Sequence, residues 1–123
     1  MQQSIRYMQM GYSADWFSHY LFVASRRYVV GSGSFHAPPS KEGRVELGYE
    51  VAPSYRDQGV ATAAVGLMIL TAFRHPEVVE VFAQCSVNNP ASRRVLEKCG
   101  LKHLGQAINL EHGPCDQWLI RRF

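Results

Sequence analysis

Residues 44–73 of this 123-residue chain place the strongest constraint on its fold. "RVELGYEV" alternates, putting Val45, Leu47, Tyr49 and Val51 on one face of a strand and Glu46, Gly48 and Glu50 on the other. After "APSYRDQG" comes "VATAAVGLMILTAF", apolar or small at nearly every position and rich in alanine, a strong helix former. A run that is apolar all round predicts a buried helix over 60–73, packed on a sheet. Pro76 ends that helix by Arg74 or His75. "VVEVFAQCSV" (78–87) then reads as another strand. Strand, helix and strand in succession predict a local parallel pair.

The flanking segments predict the remaining elements. "HYLFVAS" (19–25) and "YVVGSGSF" (28–35) read as a hairpin, with Gly31 and Gly33 marking a bulge or a close backbone approach. "HAPPSKEG" is a loop by its Pro, Ser and Gly content. In "NNPASRRVLEKCG", Asn89 is an N-cap, Pro90 the first helical residue and Gly100 the C-terminal stop. "LKHLGQAINL" and "CDQWLIRRF", joined by "EHGP", form a closing antiparallel hairpin. The expected fold is α+β: a three-layer sandwich around a mixed, mainly antiparallel sheet.

Composition narrows the function classes. With 46% hydrophobic and 19% charged residues, the chain is a folded domain rather than a disordered one, and its length suits a single domain over 1–123. No run approaches the roughly 18 apolar residues that cross a bilayer, and the first residues lack a signal-peptide layout. The expectation is a cytoplasmic protein without a membrane partner. A net charge of +3 and no basic stripe interleaved with aromatics argue against nucleic acid. Cys85, Cys99 and Cys115 suit neither a disulfide framework nor a zinc site, and the histidines lack i, i+4 pairing, so no metal is expected.

Chemistry concentrates where the alternating strand meets the helix. A helix N-terminus leaves about four N–H groups unpaired at the positive end of its macrodipole. Gly59 lets the backbone approach a ligand, Ala61 keeps the next amide accessible, and Arg56 adds a fixed positive charge. Such a junction cradles phosphate, although the same spacing suits a plain glycine turn with Arg56 in solvent. A second N-capped helix, opening on the same sheet edge at Asn89, favours a slot for an extended phosphorylated ligand.

"VELGYEVAPSYRDQGVATAAV" followed by "NNPASRRVLEKCGL" resembles the GCN5-related N-acetyltransferase (GNAT) superfamily, in the branch that includes ribosomal-protein N-terminal acetyltransferases. The Arg/Gln-x-x-Gly-x-Gly/Ala loop of that family falls on Arg56, Gly59 and Ala61, its Asn-x-x-Ser helix start on Asn89 and Ser92, and its Glu-Lys-x-Gly-Phe ending on Glu97, Lys98, Gly100 and Leu101. The likeness runs from about Trp16 to the C-terminus. It implies acetyl-CoA as acyl donor and a primary amine, on a small molecule or a protein N-terminus, as acceptor. Backbone at Glu50, Val51 and Ala52 would pair with the pantetheine arm. The amides of Gln58, Gly59, Val60, Ala61 and Thr62 would hold the pyrophosphate, and Arg56, Asp57, Asn89 and Ser92 complete the cofactor set.

Direct attack on a thioester requires a deprotonated amine, a donor for the oxyanion and a proton for the departing thiolate. Glu46 coincides with the strand glutamate that is the base in some family members; it also reads as a half-exposed carboxylate that binds a cationic substrate. Ser92 is the nearest general acid, because the position where many members carry a tyrosine is Leu96 here; a capping hydroxyl is its other reading. The family usually has a strand and two helices before the first hairpin, and residues 1–18 are an abbreviated version. That shortening leaves three outcomes open: a wide acceptor site, completion by a second subunit in a homodimer, or a non-catalytic acyl-CoA-binding module.

Overall fold

The computed structural model describes residues 13–24, 28–53 and 59–122. Six strands among them form one sheet: β1 (Tyr20–Ala24), β2 (Tyr28–Phe35), β3 (Arg44–Val51), β4 (Glu80–Ser86), β5 (Lys102–Asn109) and β6 (Gly113–Arg121). Two helices accompany them, α1 (Val60–Phe73) and α2 (Pro90–Lys98), with a 3-10 turn at Ala14–Trp16. The strand order is β1-β2-β3-β4-β6-β5. Only β3 and β4 pair in parallel, joined through α1 as the sequence implies; every other neighbour is antiparallel. The mixed, mainly antiparallel sheet of an α+β fold is therefore present.

Register shows what the faces do. Val45 lies opposite Val81 and Leu47 opposite Ala83, and all four are buried beneath the helices. Tyr49 shares that face and bonds to Ser92 of α2, while the Cys99 thiol of α2 donates to the Thr62 carbonyl of α1. Both helices thus cover one side of the sheet. The abbreviated N-terminal part expected over residues 1–18 falls mostly outside the described residues. Its described end is the 3-10 turn, which buries Trp16 edge-on to Phe35, 5.1 Å between ring centroids, and against His75.

Glycines permit the close approaches. A Cβ on Gly31 would run into the Glu50 carbonyl oxygen, and one on Gly33 would lie 2.7 Å from the Met68 sulfur. The bulge read from these residues is real and sits between Phe22 and Val23, which pair with Gly31 and Val29 and leave Val30 as the extra residue.

One expectation needs correction. α1 is not buried all round: Val65, Met68, Ile69 and Ala72 face the core, but Leu67 and Leu70 are 64% and 60% exposed. A sheet covers only one side of a helix lying on it, and α2 reaches only part of the remainder. Arg122 secures the far end of α1, donating to the carbonyls of Phe73 and His75 at 2.7 and 2.8 Å, where the helix dipole favours a cation.

Candidate active site

The parallel pair opens at its carboxyl end. Pairing stops at Leu47 opposite Ala83, although β3 continues to Val51 and β4 to Ser86. On the β2 side, the His36 amide donates to the Glu46 carbonyl and the Ala52 amide to the Val30 carbonyl. Strand alternation then turns the backbone groups of Glu46, Gly48, Glu50 and Ala52 toward β2, and those of Tyr49 and Val51 toward the gap. Of the expected backbone trio, Val51 is the one aimed at the gap. Glu50 and Ala52 serve the β2 ladder.

Against this gap lies a cavity of ≈ 340 Å³, lined by Tyr49, Glu50, Val51, Gly59, Ala61, Thr62, Asn89, Ala91, Ser92, Arg94, Val95 and Lys98. The two helix N-termini flank it, as the sequence predicts. Gly59 caps α1 in the left-handed conformation, φ 80°, and supplies no side-chain cap. The first intrahelical bond runs from the Ala63 amide to the Gly59 carbonyl, so the preceding amides have no acceptor within the helix. A Cβ added at Gly59 meets nothing within 4 Å among the described residues. Among the described residues, this helix start has no side-chain cap and space beside Gly59, and with Arg94 and Lys98 in the lining it suits a phosphorylated ligand such as coenzyme A.

The second helix is closed instead. Asn89 Oδ1 accepts from the Ser92 amide at 3.1 Å, so this side chain is spent on the cap that its position predicts. Leu101 N–H reaches the Leu96 carbonyl and Gly100 adopts φ 90°, which ends α2 as the sequence implies. Leu96 is fully buried in the core. Val60 packs against the core and is not in the cavity lining. Arg56, Asp57 and Gln58 lie outside the described residues.

Sequence reasoning missed Tyr49. Its hydroxyl is 2.6 Å from Ser92 Oγ, and burial pushes its pKa up to about 12 despite that hydrogen bond. It therefore stays protonated through the neutral range and is available as a donor beside the gap. Lys98 was noticed only as part of the helix ending, yet it lines the cavity with Arg94.

Glu46 stands on the opposite face of β3. Its Oε2 lies 3.2 Å from His36 Nδ1 and accepts from Gln84 Nε2 at 3.3 Å. Gln84 in turn accepts from the Cys115 thiol at 2.9 Å. The structure thus separates the two expected catalytic side chains. Ser92 sits with the cavity, Glu46 across the sheet, and the stretch where β3 and β4 no longer pair with each other lies between the two faces.

Comparison with known proteins agrees with this geometry. Residues 1–102 match the acetyltransferase (GNAT) domain. The chain is 29% identical over 104 residues to the uncharacterized N-acetyltransferase YjdG of Bacillus subtilis (strain 168), covering 84% of this chain and 59% of that protein. It is 32% identical over 79 residues to the ribosomal N-acetyltransferase-like YdaF of the same organism, covering 64% and 43% of the two chains. The crystal structure of aminoglycoside acetyltransferase AAC(6')-Ib in complex with coenzyme A and kanamycin superposes with a TM-score of 0.68 at 20% identity, over 80% of this chain and 63% of that one. The chain belongs to the GNAT acetyltransferase domain family. It spans less than two thirds of the length of the relatives it matches.

Proposed function

We propose that this chain is an acetyl-CoA-dependent N-acetyltransferase acting on a primary amine. The observation that carries the reading is the end of the parallel pair where β3 and β4 stop pairing with each other, with a glycine-led helix start on one side and an ionisable carboxylate on the other. Bound acetyl-CoA would supply the activated acetyl thioester. The amides at the start of α1, with Arg94 and Lys98, would hold its phosphates, and the Val51 backbone, facing the gap, would lie along its pantetheine arm. Glu46 would take the proton of an incoming ammonium group from the face opposite the cavity. The Tyr49 hydroxyl and Ser92 Oγ would return a proton to the departing sulfur. A cationic acceptor suits Glu46 and Glu50, the carboxylates of this strand; an aminoglycoside amine and a protein N-terminus both meet that chemistry.

The test is release of free thiol from acetyl-CoA across a panel containing kanamycin and short peptides with free N-termini, paired with Glu46→Gln. Turnover on at least one amine, lowered at least tenfold by that substitution, is the expected result. Stabilisation by coenzyme A without turnover on any amine would instead leave an acyl-CoA-binding module.

A further inference from the structure

The imidazole of His36 points its Nε2 edge at the backbone of Gly48. A Cβ at position 48 would come 2.7 Å from Nε2 and 3.6 and 3.7 Å from Cδ2 and Cε1. Glycine at that point is therefore what lets the ring settle on β3. From there its Nδ1 reaches Glu46, while the His36 amide extends the β2–β3 ladder one residue past Phe35. Gln84 holds the same carboxylate oxygen from β4. This carboxylate is thus gripped from both neighbouring strands, and its histidine partner stands at the surface with a side chain 51% exposed.

We propose that His36 is a positioning residue for Glu46, aiming its carboxylate and setting, through the charge on the imidazole, how readily it receives a cationic amine. The inference rests on the reading of Glu46 as the base. While the imidazole is neutral, its Nδ1–H orients a fully charged carboxylate. Once the imidazole is protonated, a cation sits 3.2 Å from that carboxylate, occupies it as an ion-pair partner and repels an ammonium substrate. The hydrogen bond to Glu46 raises the His36 pKa above its ordinary value, outweighing the opposing effect of burial.

Among the described residues, the other charged groups on this face are engaged or distant along the strand. Arg44 and Arg121 both bind Glu80, at 2.9 and 3.3 Å, and Glu50 lies four residues along β3 from Glu46. The Cys115 thiol donates to Gln84. Among the described residues, the ion-pair partner of His36 is Glu46.

Two readouts test this on the full chain. The first is the His36 ring titration by NMR in the wild type, Glu46→Gln and Gly48→Ala. A midpoint above that of free imidazole should fall toward the ordinary value in both variants, since one removes the partner and the other displaces the ring. The second is the pH profile of kcat/KM for thiol release with acetyl-CoA and kanamycin, compared with His36→Gln. Because the acceptor is the same, its own titration cancels between variants. The wild-type acid limb should track the His36 midpoint and move at least one pH unit lower in His36→Gln. A limb unmoved in His36→Gln but abolished in Glu46→Gln would overturn the inference and leave Glu46 as base. A rate and limb unchanged in Glu46→Gln would remove both. Should kanamycin not be turned over, the ring titration decides alone, and an identical midpoint in wild type and Glu46→Gln overturns the proposal.

Discussion

The hydroxyl of Tyr49 lies 2.6 Å from Ser92 Oγ, linking the open end of β3 to the first turn of α2. The contact joins the two motifs that the sequence presents separately. It also supplies a protonated donor next to the gap where a thioester would sit.

Removing that donor should slow the reaction more than it weakens binding. Tyr49→Phe is expected to lower kcat about tenfold, below the usual range of general acid–base effects because a thiolate is a good leaving group. Coenzyme A affinity should change less than twofold. Steady-state kinetics with calorimetric titration separate the two, and a kcat equal to wild type would remove Tyr49 from the chemistry.

The same hydroxyl predicts an alkaline signature. The folded pKa is raised to about 12 against 10 for an unperturbed tyrosine. The neutral form is thus favoured in the folded protein, and this contribution is fully present below pH 10. It is lost as pH rises through the folded value. Urea denaturation between pH 9 and 12 should show wild-type stability falling more steeply than that of Tyr49→Phe; parallel curves would contradict the assignment.

Gly59→Ala should carry two separate costs. At φ 80° a Cβ strains the backbone by about 1–2 kcal/mol, measurable by chemical denaturation. Among the described residues nothing would meet the added methyl group at the start of α1, where the phosphates are proposed to lie, so affinity for coenzyme A should drop at least fivefold. Unchanged affinity would argue that the phosphates lie elsewhere.

Asn89→Ala should behave as a cap deletion. The lost bond to the Ser92 amide should cost about 1 kcal/mol of stability. Gly31→Ala is predicted to be more damaging, since its Cβ would run into the Glu50 carbonyl and the Phe22 ring. Overpacking of that kind costs about 1–3 kcal/mol, and the same denaturation series ranks the two variants.

Most of the strand and helix order was legible, because period-two alternation in β3 and capping residues around α2 are local signals. Gly31 and Gly33 announced close approach for the same reason: a missing side chain in a strand needs a neighbour that requires the space. What escaped was chemistry set by pairing across the fold. Tyr49 reads as one more large residue on the apolar face of β3 until α2 brings Ser92 to its hydroxyl. His36 opens a segment whose Pro, Ser and Gly content says only "loop", and nothing local states that its ring rests on Gly48. The exposed Leu67 and Leu70 show the converse: apolar periodicity reports what a helix is able to bury, while the neighbouring layers decide what it does bury.

The central claim is that the cavity between the starts of α1 and α2 binds coenzyme A. Thermal unfolding with increasing coenzyme A tests it most directly. At about 100 times Kd the ligand should add roughly 2.7 kcal/mol of stability, which for a domain of this size raises Tm by roughly 10 °C. Gly59→Ala should need a higher ligand concentration for the same shift. A Tm that stays flat up to millimolar coenzyme A, with no heat of binding by calorimetry, would contradict the account.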